Sequence, residues 1–373
     1  MMSMEPLMLS DLPTTTRFKI IGKVNLILAF FLCLHIFADV PFIVTPDYET
    51  EPVISINDAA DDPAIWFNPN NPQESLIFGT DKKSGIYVYD IFGNQISYTK
   101  LGKINNIDLR ASDNKLHVVS SNRSASTLDY WILPTDNLFK YFKLNPNNAF
   151  SEDIEHAHLQ AKMDIYGVCI GFVGNNLYAI LTEEEGQNIQ YWNLNNRTLE
   201  KTINLIEDEK NTSPFGNEAE GCVFDDENQF ILISREGNKG YLKMYDSSSL
   251  DLIHVIDSRD HNIVGDPEGV AIYRTSEDDG YIILSSQGNS SFNIYRRKYP
   301  NQFVGSFIVV GASNIDGVQD TDGIAINNGN FKIFPKGMMV IQDGFNTDSN
   351  GILYNQNFKI VSFDKILENL DKD

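Results

Sequence analysis

Six copies of one short phrase recur along the chain, and most carry an acidic side chain. They are Asp61-Asp62-Pro63-Ala64-Ile65-Trp66, Asn106-Ile107-Asp108-Leu109, Ile165-Tyr166-Gly167-Val168-Cys169, Glu220-Gly221-Cys222-Val223-Phe224, Glu268-Gly269-Val270-Ala271-Ile272 and Asp322-Gly323-Ile324-Ala325-Ile326. A lone surface carboxylate does little chemistry. Several brought to one place repel by roughly 4 kcal/mol per pair at about 4 Å in an intermediate dielectric, so they need cations among them. Oxygen donors with no His/Cys cluster beside them select calcium over zinc or copper. The densest local pattern of this kind is Asp316-Gly317-x-x-Asp320-Thr321-Asp322-Gly323, which lacks the flanking helices of an EF-hand.

The spacing of the phrases, roughly from the mid-forties to the high fifties, is that of a four-stranded propeller blade. Each phrase opens a strand, and runs rich in β-branched and aromatic residues follow it, as in Ser75–Gly79 and Gly85–Tyr89 after the first copy. This predicts an all-β six-bladed propeller; two sandwich domains, the alternative, do not account for a repeated phrase. The first strand of each blade lines the central channel. Its leading end then places Asp61, Asp62, Asp108, Tyr166, Glu220, Glu268 and Asp322 around one mouth. Second-strand exits add Lys82, Lys83, Arg123, Glu184, Glu185, Arg235, Glu236, Gln287, Gln342 and Asp343, and Asp266 stands just before the fifth phrase. Calcium with Lys and Arg at one mouth would take a phosphate-rich anion. Ring closure calls for an N-terminal strand in the last blade, for which Val53–Ile56 is the candidate.

The net charge of −22 argues against nucleic acid and anionic membranes as partners and suits a cation-loaded protein. An apolar run over 20–38, preceded by Arg17, Lys19 and Lys23, reads as an export signal, or as a membrane anchor if uncleaved. The organisation expected is therefore a leader over 1–38, a linker over 39–48 and the propeller over 49–373, exported and monomeric. Cys169 and Cys222 lie one residue out of register in their phrases, on opposite strand faces, so they read as small buried residues and not as a disulfide. His156 and His158 read as part of a solvated loop, and 364–373 as a short exposed helix or tail.

Over 49–363 the residues resemble the β-propeller phytases, calcium-dependent phosphatases that degrade inositol hexakisphosphate. The segments that carry the resemblance include Asp58-Ala59-Ala60-Asp61-Asp62-Pro63-Ala64-Ile65-Trp66, Lys82-Lys83-Ser84-Gly85, Ser121-Asn122-Arg123-Ser124, Ser285-Ser286-Gln287-Gly288-Asn289-Ser290-Ser291, Asp320-Thr321-Asp322-Gly323 and Asn355-Gln356-Asn357-Phe358-Lys359. The resemblance implies that Glu49, Asp61, Tyr166, Glu220, Glu236, Glu268 and Asp322 hold a catalytic calcium cluster. It implies that Asp62, Asp316, Gln342 and Asp343 hold calcium ions that stabilise the fold, and that Lys82, Lys83 and Arg123 bind phosphate. The implied reaction is in-line attack of a calcium-bound water on phosphorus, without a phosphoenzyme. One departure stands out. Glu184 occupies a position where the family commonly has lysine, and Arg235 is the candidate for restoring the lost cation.

Two other functions fit a propeller of this type. A calcium lactonase or phosphotriesterase would bring a catalytic His or a different Asn/Asp set to the mouth, and no His lies in any phrase. A non-catalytic propeller would bind an inositol phosphate without turning it over.

Overall fold

The computed structural model describes residues 40–151, 153–205 and 218–370. The readings of 1–38 as leader or anchor therefore lie outside the described residues. Pro41–Asp373 forms one compact unit.

The runs of β-branched and aromatic residues form six antiparallel sheets. Blade 1 contains Ala60–Trp66, Leu76–Asp81, Gly85–Asp90 and Gln95–Lys100. Blade 2 contains Ile104–Ser112, Lys115–Asn122, Thr127–Pro134 and Glu155–Gln160, and blade 3 Ile165–Val173, Asn176–Glu183, Asn188–Asn193 and Thr198–Asn204. Blade 4 contains Cys222–Asp225, Phe230–Arg235, Tyr241–Asp246 and Leu252–Ser258, and blade 5 Pro267–Arg274, Gly280–Ser286, Ser291–Arg296 and Phe303–Val309. Blade 6 takes only Ile324–Asn327, Met338–Asp343 and Asn357–Ser362 from the C-terminal part of the chain. The first strands touch their neighbours around a closed circle, blade 6 meeting blade 1. Apolar clusters fill the gaps between blades. Phe78 of blade 1 and Trp131 of blade 2 share one with Phe142 of helix α1 (Leu138–Leu144) and with Phe150.

The N-terminal segment closes the ring, but not where its hydrophobic pattern pointed. Tyr48–Glu49 is the outer strand of blade 6, Tyr48 opposite Ile360 and Glu49 opposite Lys359. Phe42–Val44 adds a fifth, parallel strand to blade 5, Phe42 opposite Phe307. Phe42–Val44 and Tyr48, expected in a linker over 39–48, are thus strand residues of the propeller. Val53–Ile56 forms no strand. Val53 is buried and its N–H bonds Gln356 O at 3.0 Å, while Ile54 and Ile56 are exposed.

Three further expectations are corrected. Cys169 and Cys222 form a disulfide, with Cα atoms 5.7 Å apart. The opposite-face argument points the other way once blades are stacked around an axis, because the leading face of blade 3 meets the trailing face of blade 4. Both cysteines border the one apolar cluster between those blades. His156 and His158 lie on the outer strand of blade 2, where His158 Nδ1 is 2.6 Å from Asp129 Oδ1. Helix α2 (Phe363–Leu370) buries Phe363 and Ile366, and Phe363 stacks on Tyr273 at 3.8 Å, so the C-terminal helix is docked and not an exposed tail.

Candidate metal centre at the channel mouth

A β-bulge interrupts the first strand at the phrase in blades 1, 2, 3 and 5, between Ala60 and Pro63, Ile104 and Ile107, Ile165 and Val168, and Pro267 and Val270. Each bulge lifts a phrase residue out of the ladder and re-aims its side chain. The glycines of the phrase explain how tightly these residues converge. A Cβ on Gly167 would strike Glu220 O, one on Gly221 would strike Glu268 O, one on Gly269 Asp322 O, and one on Gly323 Asp61 O. Tyr166, Glu220, Glu268 and Asp322 are each therefore followed by a glycine pressed on the carbonyl of the next site residue around the ring. Hydroxyls complete the stitching. Thr80 Oγ1 donates to Asn105 O at 2.6 Å, Ser285 Oγ donates to Thr321 O at 2.9 Å, and Ser234 Oγ donates to Glu268 O. Gly269→Ala should force blades 5 and 6 apart, since the atoms in the way are backbone, at a cost of about 1–3 kcal/mol in denaturant unfolding. Unchanged stability would contradict this packing.

Carboxylate oxygens of Glu220, Glu236 and Glu268, from blades 4 and 5, lie within 4.8 Å of one another. Asp61 and Asp322 flank them and share one ammonium. Lys82 Nζ stands 3.3 Å from Asp61, 2.9 Å from Asp322 and 2.8 Å from Asp58. Asp322 also accepts from Gln287 Nε2 at 2.9 Å. Burial pushes Glu220 and Glu268 well above the usual carboxylate range, raises Asp322, and carries Asp61 to about 7. Burial, with Asp266 and Glu218 nearby, carries Glu236 to about 8. The charge of Glu220, followed by burial, raises the Tyr166 phenol strongly, which places Tyr166 in the same field.

These residues fit a divalent cation. Among the described residues, Oε2 of Glu268 is buried without a hydrogen-bond partner, and the buried carboxylate of Asp61 meets the Lys82 ammonium only at 3.3 Å. An orphaned buried carboxylate costs several kcal/mol unless a cation or proton meets it. Every donor in the group is oxygen, the set that hard cations take. In chelator-treated protein, protons are the substitute. Asp61 and Glu236 then bind protons more tightly folded than unfolded. Their stabilisation is full below the ordinary carboxylate range and is lost as pH rises through about 7 to 8. Chelated protein should therefore melt higher near pH 5 than near pH 9; the reverse order would count against the cluster.

Several expected ligands lie elsewhere. Asp62 and Asp108 line a channel cavity of about 510 Å³ and not the mouth cluster. Asp62 Oδ2 accepts Ile107 N–H and Asp108 Oδ2 accepts Ile170 N–H, each at 3.0 Å, so each ties its blade to the next. Arg110, which contacts Asp108 at 3.3 Å and Asp226 at 3.0 Å, completes that network. Glu49 joins a second buried group. Its Oε2 is 2.7 Å from Lys359 Nζ, which also lies 2.5 Å from Asp316 and 3.2 Å from Asp343. Gln342 is engaged by backbone, accepting Asp322 N–H at 2.8 Å and donating to Ala60 O at 3.1 Å across the blade 6–blade 1 seam. Asp266 is paired with Arg259. Lys83 is exposed and donates to Ile56 O at 2.8 Å. Arg235 donates to Leu205 O at 3.2 Å. Arg123 pairs with Glu184 and stands 5.3 Å from the centre of the Tyr166 ring. Sequence reasoning missed Asp58 and Lys359 as members of these groups. Both lie in segments that carry the family resemblance, the signal that could have drawn attention to them.

Fold and site together define a propeller that gathers carboxylates from several blades at one end of its channel. A family model described as phytase matches residues 24–373. The chain is 34% identical over 341 residues to the 3-phytase of Bacillus subtilis (strain 168), spanning 88% of this chain and 86% of that protein. A luciferin-regenerating enzyme of known structure aligns over 83% of this chain and 95% of its own, with a TM-score of 0.52 and 10% identity, a likeness of fold alone. The chain belongs to the phytase family.

Proposed function

We propose that the protein is a calcium-dependent phosphomonoesterase that releases phosphate from phytate, myo-inositol hexakisphosphate. Family membership supports the reaction, and the observation that carries the site is the meeting of Glu220, Glu236 and Glu268, with Glu268 Oε2 buried and without a hydrogen-bond partner among the described residues. Glu220, Glu236, Glu268, Asp61, Asp322 and Tyr166 are the residues that would hold calcium. Bound there, calcium supplies charge neutralisation and Lewis-acid polarisation for attack on phosphorus. The chain's own part is to fix that geometry. Buried glycine contacts hold the blades in register, and Gln287 and Lys82 orient Asp322. Lys82, 12% exposed in its side chain, presents a cation beside the cluster for the phosphoryl oxygens, and Arg123 presents another beyond Tyr166.

The test is phosphate release from phytate with and without chelator. Release that stops on chelation and returns with calcium supports the reading. Turnover of lactones or phosphotriesters in its place, or calcium-dependent phytate binding with no release, would replace it. The basic-then-apolar pattern of the first 38 residues supports export, and the small substrate needs no second subunit. Mass spectrometry of the mature N-terminus and sedimentation of the purified chain test these two points.

A further inference from the structure

Beyond Tyr166 the mouth carries an ion pair whose acidic member, Glu184, the phosphatase reading does not use. Arg123 leaves the second strand of blade 2 and Glu184 leaves the second strand of blade 3, so the ring places the two exits side by side. Arg123 Nη2 is paired with Glu184 Oε1, and Nη1 donates to Asn105 Oδ1 at 3.1 Å. Its Nε is buried without a hydrogen-bond partner among the described residues. The side chains are 25% and 31% exposed, so solvent and solutes reach the pair. Glu184 is anchored through its backbone, whose N–H bonds Asp164 O at 3.1 Å, which leaves the carboxylate to swing about its own side-chain bonds.

Resting on the phytase reading, we propose that Glu184 is a specificity-determining residue: its carboxylate occupies the Arg123 guanidinium that a second phosphate of the substrate takes, and only an anion stronger than a carboxylate displaces it. A guanidinium fork accepts phosphate in the same two-pronged geometry as carboxylate. A phosphomonoester near neutral pH carries close to two charges and three acceptor oxygens, against one charge on Glu184. A substrate with one phosphate on the metal centre and another reaching past Tyr166 therefore wins Arg123. A substrate with a single phosphate leaves the pair closed and gains nothing from it. The chain thereby favours polyphosphorylated substrates, and the closing of Glu184 onto Arg123 helps expel products that have lost the outer phosphate.

Glu184→Gln removes the competing charge while keeping size. It should lower KM for phytate about twofold to fivefold, as expected for a partly exposed pair, with the change carried by KM more than kcat. The gain should shrink as salt screens it. A small aryl monophosphate should show no such gain, and in an Arg123→Ala background the Glu184→Gln effect should vanish. An unchanged or raised KM for phytate, an equal gain for the monophosphate, or an effect that survives Arg123→Ala would overturn the assignment. Calorimetry with phytate on the same four proteins reads the contrast without turnover. An inactive wild-type chain would sink the catalytic reading, while the binding contrast would still decide the role of Glu184.

Discussion

Replacing Glu268 by alanine is expected to lower phosphate release from phytate by about a thousandfold, the upper range for removing one preorganised electrostatic group. Glu268 lies within reach of both Glu220 and Glu236, and among the described residues its Oε2 has no hydrogen-bond partner to compensate for burial. Its backbone carbonyl receives the Ser234 hydroxyl and the close approach of Gly221. The substitution keeps that backbone and deletes only the carboxylate, so activity and calcium affinity should fall together while the fold persists. The expected signature in melting curves is less stabilisation by added calcium, since a ligand stabilises the folded state in proportion to the logarithm of its concentration over Kd. A variant that keeps wild-type kcat/KM would remove Glu268 from the site.

The second large effect concerns stability. Lys359→Met should cost about 3–5 kcal/mol, the usual penalty for leaving buried charges without their partner. The Lys359 ammonium is fully buried and is shared by Glu49, Asp316 and Asp343, with Asn346 and Asn357 accepting further bonds at 3.2 and 3.0 Å. Burial already lifts Asp343 to about 6 despite the ammonium, and losing Lys359 raises it further. Glu49 belongs to the strand that closes the ring, so this one side chain links the N-terminal segment to blade 6. Urea unfolding at fixed calcium concentration measures the loss. A change below about 1 kcal/mol would show that the group is not the clasp described.

Much of this was legible in the residues. The phrase that opens each blade's first strand, repeated at blade spacing, located Asp61, Tyr166, Glu220, Glu268 and Asp322 at one mouth, and the exits of the second strands located Lys82, Arg123 and Glu236. Three things were not legible, each for a physical reason. Adjacent residues in a bulge point in different directions, so Asp61 and Asp62 look equivalent in sequence although one faces the mouth and the other the channel. A closing strand as short as Tyr48–Glu49 has no periodicity to read, and the more apolar Val53–Ile56 outweighs it on pattern alone. The pairing of Cys169 with Cys222 depends on how separate sheets stack, which alternation within one strand does not contain. The Glu49–Lys359 contact falls in the same class, since it spans 310 positions in the chain.

The most direct test of the central claim is calcium binding followed by calorimetry on chelator-stripped protein, wild type against a Glu220→Gln, Glu268→Gln pair. Loss of the mouth site in the paired variant, with the calcium-dependent rise in melting temperature lost alongside it, is the result expected from acids of separate blades closing on one ion. Equal stoichiometry and affinity in the two proteins would contradict it.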